Sequence, residues 1–263
     1  MNLPVEVIDA TRAGRCVLFL GSRATSEAAE LADAPWVDAS ELAKELGWRK
    51  PKPVPGQKPK VVVPSVMEGA AAFEAAHGRA ALVARVAERR GATGLAPTDA
   101  HSLAFRRYPV IFTTTVDDLV DRAADAAGLP VDRVGRGERI PDADPTRRVV
   151  VRLRGELGRP DTLALTPADL AARPATAEDR RQMRTILRNN VVFFVGYRPD
   201  EEEFERLFEE LSDAYGGELP RCHMAVAQGS MDDYLWQKWV WRGLLLFTAD
   251  PAECLLALDR ALV

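Results

Sequence analysis

The sequence predicts an α/β fold, in which a mainly parallel sheet of about six strands carries helices on both faces. Short apolar runs alternate along the chain with longer amphipathic segments, which is typical of strands joined by crossover helices. The runs are apolar at nearly every position rather than at every second one, as expected of strands buried on both faces. With 263 residues, of which 47% are hydrophobic, the chain is long enough to bury a large core.

Six apolar runs of strand length carry this prediction. Two of them end at a glycine, and a third runs directly into a pair of threonines, so each is followed by a turn. The six runs are Cys16–Leu20, Val110–Thr113, Val149–Leu153, Val191–Val195, Met224–Ala227 and Leu244–Phe247.

Amphipathic helices are predicted between these runs, and several have recognisable first turns. Asp200 is placed to accept free amides at the start of one helix, and Glu203 adds negative charge to its first turn. Asp250 opens the last helix in the same way. A further helix is predicted over Val116–Ala127.

The segment from about residue 49 to 100 interrupts the alternation. Arg49–Lys60 holds five basic residues, four prolines and no acid, which indicates an exposed loop. Glu68–Arg90 is then rich in alanine and predicted to be helical. We therefore expect a single domain over residues 1–263 with a small helical cap inserted at about 49–100.

Composition excludes several classes of protein. The net charge of −4 provides no basic field for nucleic acid, so contact with nucleic acid is expected only through a partner. No apolar run reaches the roughly 18 residues of a membrane span, and the first residues do not resemble a signal peptide. The three cysteines are scattered and form no CxxC pair, so neither a disulfide framework nor a metal site is predicted. A cytoplasmic protein is expected.

Gly21–Thr25 lies where the first strand turns into a helix. Backbone amides at such a turn can bind a phosphate, although glycine after a strand is also a common simple turn. Arg23 stands within this segment. Its side chain would crowd a backbone approach, pair with a phosphate, or fill an empty pocket through a salt bridge.

A second polar segment, Thr113–Asp118, follows the second predicted strand. Ligands of open α/β sheets bind at the carboxyl ends of strands, where these hydroxyls and carboxylates are suited to hold a ribose. The alternative is structural, with Thr114 or Thr115 capping the next helix and the acids complementing its dipole.

Histidines and aromatic residues give weaker signals. His101 is predicted at the start of a helix, and no HxxH or HxxxH pair points to a metal. The aromatic residues near the end of the chain cannot all face the same side of one helix, so at least one is a candidate for partner contact. They are Tyr234, Trp236, Trp239 and Trp241.

Four short segments resemble, in their order and spacing, the motifs of sirtuin-like NAD-binding domains of bacteria. They are Phe19–Thr25, Phe112–Asp118, Leu153–Glu156 and Val195–Tyr197. Weaker likenesses, including Ala34–Leu42 and Leu163–Asp169, extend the resemblance across nearly the whole chain. It implies a Rossmann-like sheet and a dinucleotide site. The residues implied for nucleotide binding are Gly21, Ser22, Arg23, Thr25, Thr113, Thr114, Gly196 and Tyr197.

Three positions depart from the family pattern. Arg23 replaces a glycine of the phosphate loop, Thr115 replaces an asparagine, and Arg154 replaces the catalytic histidine. A guanidinium stays protonated at physiological pH, so it cannot take the proton that the histidine accepts in the family. Asp117 is retained in the same segment as Thr115.

The resemblance and its departures together predict a degenerate domain without NAD hydrolysis, acting as a scaffold, a regulatory subunit or a sensor of NAD or ADP-ribose. No cofactor is required, and a protein partner or homo-oligomer in a bacterial antiphage defence system is implied. One alternative is a divergent NAD glycohydrolase in which His101 or Asp117 replaces the base. Another is a pure interaction module that uses Trp241 or Arg49–Lys60.

We also expect Arg23 and Arg154 to converge at the carboxyl edge of the sheet, because both follow strands. Two buried cations repel each other unless acids or an anion compensate them. Asp117, Asp118 and Glu156 are the predicted carboxylate partners.

Overall fold

The computed structural model describes residues 3–33, 37–51, 64–91, 93–141, 144, 146–174, 176–217, 219, 221–227 and 231–263. The segment Ala34–Trp36 and most of the basic loop Arg49–Lys60 lie outside them. The strands among the described residues are β1 (Cys16–Leu20), β2 (Val110–Thr113), β3 (Val131–Gly135), β4 (Arg148–Arg152), β5 (Val191–Val195), β6 (Cys222–Val226) and β7 (Leu244–Thr248). The α-helices are α1 (Val5–Arg12), α2 (Arg23–Leu31), α3 (Ala39–Glu45), α4 (Val66–His77), α5 (Arg79–Arg90), α6 (Asp99–Arg107), α7 (Leu119–Ala127), α8 (Pro167–Ala172), α9 (Ala177–Arg188), α10 (Glu202–Tyr215), α11 (Asp233–Trp241) and α12 (Pro251–Leu262).

The strands form one parallel sheet of seven in the order β3-β4-β2-β1-β5-β6-β7, which confirms the predicted α/β class. The strand missing from the prediction is β3. Asp132 and Arg133 interrupt its apolar pattern, and an edge strand tolerates such charges because it is not buried on both sides. The chain continues to one side of β1 through β2 and to the other through β5, so the topological switch point lies between β1 and β5.

Both faces of the sheet are covered by helices. Cys16, Leu18 and Leu20 of β1 contribute to the core beneath α1, α6, α7 and α12. Val17 and Phe19, which alternate with them, contribute to the opposite core beneath α9, α10 and α11. This arrangement explains why the strand is apolar at every position.

Two predicted helix starts are wrong. Helix α10 begins at Glu202 with Glu201 as its N-cap, while the carboxylate of Asp200 pairs with Arg198 at 2.8 Å. Helix α7 begins at Leu119 rather than at Val116. A local hydrogen bond therefore outcompetes the capping role that sequence position gave to Asp200.

A small group of helices lies in the chain between β1 and β2. Helices α3, α4 and α5 share a core of their own that includes Leu42, Ala70 and Leu82. Arg79 of α5 joins this group to α8 through a 2.8 Å ion pair with Asp169. Among the helices of the described residues, none combines the length and apolar character needed to cross a membrane.

Candidate functional site

A cleft lies at the carboxyl ends of the central strands and is closed from above by α3, α4 and α5. The loops after the strands and the first turn of α2 contribute six of the residues predicted from the sequence. These are Ser22, Thr25, Thr114, Thr115, Asp117 and Arg154. Helix α10 adds Glu202, Glu203 and Arg206, and Glu201 precedes it. The cleft measures about 890 Å³ including its open mouth.

The first strand end is held tightly against β5. A Cβ atom at Gly21 would lie 2.5 Å from the carbonyl oxygen of Gly196, so only glycine fits this position. Gly196 itself has a φ of 78°, a conformation that favours glycine. Gly21 and Gly196 are therefore needed for the contact between two strand ends, and neither lines the cleft.

The amides at the start of α2 are partly occupied. The Arg23 amide donates to the Gly196 carbonyl at 2.9 Å, and the Ala24 amide donates to the Gly21 carbonyl at 3.3 Å. A phosphate at this turn would have to compete with both bonds. Ser22 is the residue of this turn that lines the cleft.

The side chain of Arg23 does not converge with Arg154. It remains 42% exposed and pairs with Glu30 on its own helix at 3.6 Å. The predicted network of two arginines is wrong in this respect, because α2 turns the residue toward its outer surface. Arg23 consequently neither fills the cleft nor lines it.

A chain of hydroxyl groups fixes the loop after β2. The Thr113 hydroxyl donates to the Leu20 carbonyl at 2.8 Å and lies 2.9 Å from the Thr115 hydroxyl. The Thr114 hydroxyl lies 3.3 Å from that of Tyr197, whose phenolic pKa is raised by burial. Thr113 and Tyr197 thus support the floor of the cleft, while Thr114 and Thr115 line it.

Asp117 occupies the centre of this loop. One carboxylate oxygen accepts a hydrogen bond from the Thr25 hydroxyl at 2.8 Å, and the other accepts one from the Leu119 amide at 3.0 Å. The second bond satisfies an amide at the start of α7, the role that sequence reasoning gave to Thr114 or Thr115. That capping alternative is therefore wrong for both threonines. The carboxylate is held rigidly at the wall of the cleft.

Arg152 positions the same loop and was missed in the sequence. Its side chain is 1% exposed, and it donates to the Asp117 carbonyl at 2.8 Å and to the Thr115 carbonyl at 3.3 Å. It also forms ion pairs with Asp121 and with Glu156. An arginine within an otherwise apolar run could have indicated this role, because a charged side chain is rarely buried unless it is paired.

Arg154 is buried without a full set of partners. Its side chain is 5% exposed, and its Nη1 atom lies 3.5 Å from Oε1 of Glu210 on α10. Its Nη2 atom is buried and has no hydrogen-bond partner among the described residues. A guanidinium nitrogen without an acceptor can still donate to an anionic group.

The carboxylates predicted for Arg154 are engaged elsewhere. Asp118 pairs with Arg122 at 3.2 Å, and Glu156 pairs with Arg152 and Arg159. The actual partner, Glu210, lies 56 residues farther along the chain.

A group of acids at the start of α10, Glu201, Glu202 and Glu203, lines the cleft. Burial raises the pKa of Glu201 to about 7, with further contributions from Glu203 and Asp200. Glu202 is neutralised by Arg206 at 2.6 Å. Glu201 is therefore a titratable group of the cleft that sequence reasoning overlooked, since it resembles an ordinary acidic first turn.

His101 does not face the cleft. Its Nδ1 atom lies 3.2 Å from the Thr98 amide and 2.9 Å from the Thr98 hydroxyl, which makes it part of the N-terminal cap of α6. Burial lowers the pKa of its imidazole to about 4. These contacts make His101 a structural residue.

Comparison with known families identifies the class to which this arrangement belongs. The model of the family described as SIR2-like domain matches residues 109–242, which is half of the chain. The chain belongs to the SIR2-like domain family.

Among solved structures, the chain is similar to one described as a Sir2 homolog in complex with NAD. The two share 12% sequence identity with a TM-score of 0.48, over 100% of this chain and 96% of that one. No curated protein sequence matches the chain.

Proposed function

We propose that this SIR2-like domain binds a nucleotide containing ADP-ribose, such as NAD or ADP-ribose itself, and does not hydrolyse it. The observation that carries the proposal is the side chain of Arg154, which lines an open cleft and has a buried nitrogen without an acceptor in the part of the chain that the structure describes. The membership in the family supports this choice of ligand.

The residues of the cleft fit a ribose and one anionic group. Thr114, Thr115 and Asp117 offer hydroxyl and carboxylate groups of the kind that bind sugar hydroxyls. Arg154 is expected to bind the anionic group, because the Arg23 and Ala24 amides already donate to neighbouring carbonyls. The phosphate is thus expected to contact the side chain of Arg154 and not the amides at the start of α2.

The same residues argue against turnover. Arg154 has no lone pair with which to accept a proton from a ribose hydroxyl. Thr115 lacks a side-chain amide, and its hydroxyl already lies 2.9 Å from that of Thr113. Loss of a general base reduces a rate by about 10²–10⁴-fold, and loss of a positioning group reduces it further.

Two assays on one preparation test the proposal. Incubation with NAD, followed by measurement of released nicotinamide, should show no turnover above a protein-free control. Equilibrium titration should show binding of NAD or ADP-ribose. The proposal would be contradicted if neither NAD nor ADP-ribose bound, or if nicotinamide were released at a high rate.

A divergent NAD glycohydrolase is the second candidate, and Glu201 favours it. A carboxyl group in the cleft with a pKa of about 7 is suited to proton transfer near neutral pH. If the protein hydrolyses NAD, this second candidate function requires that Glu201→Gln or Asp117→Ala abolish the hydrolysis.

The proposal includes a protein partner, in the bacterial defence setting that the family resemblance implies. The aromatic residues of α11 divide as helix geometry requires: Trp239 is fully buried, whereas Tyr234 is 77% and Trp241 83% exposed. Large exposed aromatic side chains of this kind are enriched where proteins associate. Sedimentation of the wild type and of Trp241→Ala should show whether this helix mediates self-association.

A further inference from the structure

A second pocket lies beside Glu210, the ion-pair partner of Arg154. Its lining is mixed, and the large apolar residues come from β4 and its end, from the segment before β4, and from α9 and α10. They are Ile140, Val151, Leu153, Met183, Leu207 and Leu211. The pocket measures about 1,020 Å³ including its mouth and shares no lining residue with the cleft.

Arg136 is the less exposed of the two arginines of this pocket, whose lining also includes the exposed Glu138, Arg180 and Asp213 and the half-buried Asp179. Its side chain is only 14% exposed, and its Nη1 atom lies 3.1 Å from Oε2 of Glu210. Its Nε atom donates to the Arg173 carbonyl at 3.3 Å. Glu210 therefore stands between two buried guanidinium groups, with Oε2 toward Arg136 and Oε1 toward Arg154.

One carboxylate cannot neutralise two cations. Among the described residues, Glu210 is the acid within ion-pair distance of Arg136 and likewise of Arg154. The other acids that line the pocket form no ion pair with either arginine among the described residues, so one positive charge of this trio is left over. A buried charge is costly until an anion compensates it. A single anion at either arginine would release Glu210 to pair fully with the other.

We propose that the second pocket is a regulatory site for a small amphipathic anion, with an apolar body against Leu207 and Leu211 and one carboxylate or phosphate on Arg136. The site is coupled to the cleft through Glu210. Filling either site removes the excess charge, so an anion in the second pocket weakens binding of an anion in the cleft, and the reverse holds equally. The effect on the nucleotide rests on the proposed function, whereas the pocket and its charge coupling do not.

Calorimetric titration with octanoate tests the pocket directly. Octanoate should bind the wild type, and Arg136→Gln should weaken it by at least about tenfold, as expected for loss of a charge-assisted hydrogen bond. Met183→Trp should exclude octanoate by filling the apolar space. Octanol, which has the same tail without the charge, should bind much more weakly. Equal affinity for octanol and octanoate would overturn the assignment.

The coupling is tested with the same probe and no nucleotide. Arg154→Met removes the competing cation, so Glu210 should pair fully with Arg136 and octanoate should bind about fivefold more weakly or worse. Glu210→Gln should strengthen octanoate binding, whereas Glu209→Gln on the exposed side of α10 should leave it unchanged. Unaltered affinity in both Arg154→Met and Glu210→Gln would refute the coupling.

A separate titration links this site to the nucleotide. Saturating octanoate should weaken ADP-ribose binding by about fivefold or more in the wild type but not in Glu210→Gln. If ADP-ribose does not bind at all, the proposed function fails while the octanoate results still decide the second site. If ADP-ribose binds with unchanged affinity in octanoate, the regulatory role is contradicted.

Discussion

Arg152 and Arg154 stand two residues apart, both buried, yet their replacement by methionine should affect stability in opposite directions. Arg152 contacts two backbone carbonyls and two carboxylates, Asp121 and Glu156. Arg152→Met leaves these acceptors without their shared donor. Breaking a buried ion pair costs about 3–5 kcal/mol. The lower end is expected, because Asp121 retains Arg133 and Glu156 retains Arg159.

Arg154 lacks such compensation. One of its nitrogens is buried and meets no acceptor among the residues that the structure describes, and its ion pair with Glu210 is long at 3.5 Å. An unsatisfied buried polar group costs about 1–3 kcal/mol, more when it is charged. Arg154→Met removes that group and leaves Glu210 paired with Arg136. The free protein should therefore be equally stable or up to about 2 kcal/mol more stable.

Urea unfolding of the wild type and both variants measures these differences. Arg181→Met is the matched control, because its ion pair with Glu178 is exposed and worth less than about 1 kcal/mol. If Arg154→Met destabilises the protein as much as Arg152→Met does, Arg154 is a structural residue and the ligand account is refuted. A loss below about 1 kcal/mol for Arg152→Met would refute its role in holding the loop.

Two further predictions concern the strand ends and the acids of the cleft. Gly21→Ala should destabilise the protein by about 1–3 kcal/mol in urea, because its Cβ atom would lie 2.5 Å from the Gly196 carbonyl. Gly158→Ala, where a Cβ atom meets nothing within 4 Å, should be nearly neutral, and equal effects would contradict the steric argument. The folded-state pKa of Glu201, about 7, lies above its usual value of 4.5, so the stability it contributes is present below pH 4.5 and lost as pH rises through about 7. The unfolding free energy of Glu201→Gln should thus match that of the wild type at pH 4 and exceed it by up to about 3 kcal/mol at pH 8. If the two proteins differ by the same amount at both pH values, the raised pKa of Glu201 is contradicted.

The buried centre of the fold was predictable because strands covered on both faces must be apolar. Cys16–Leu20 and Val191–Val195 were predicted at their observed bounds. Strand β3 was missed because Asp132 and Arg133 interrupt its apolar pattern, which an edge strand tolerates. Composition alone does not reveal which strand lies at the edge of the sheet.

The site was predictable in its location and less so in its contacts. Ser22, Thr25, Thr114, Thr115, Asp117 and Arg154 meet at one cleft because parallel strands end at the same edge. The direction of a side chain depends on packing, which sequence spacing does not reveal. Arg23 therefore points outward and pairs with Glu30, and Arg154 pairs with Glu210 on α10.

The central claim is that the cleft binds a nucleotide through Arg154, and calorimetric titration of ADP-ribose tests it most directly. The comparison requires the wild type, Arg154→Met and Arg206→Gln. Arg206 also lines the cleft but is already paired with Glu202, so its loss should matter little. We predict saturable binding to the wild type, binding at least about tenfold weaker to Arg154→Met, and nearly unchanged binding to Arg206→Gln. Binding that is equally strong in the wild type and in Arg154→Met would contradict the claim.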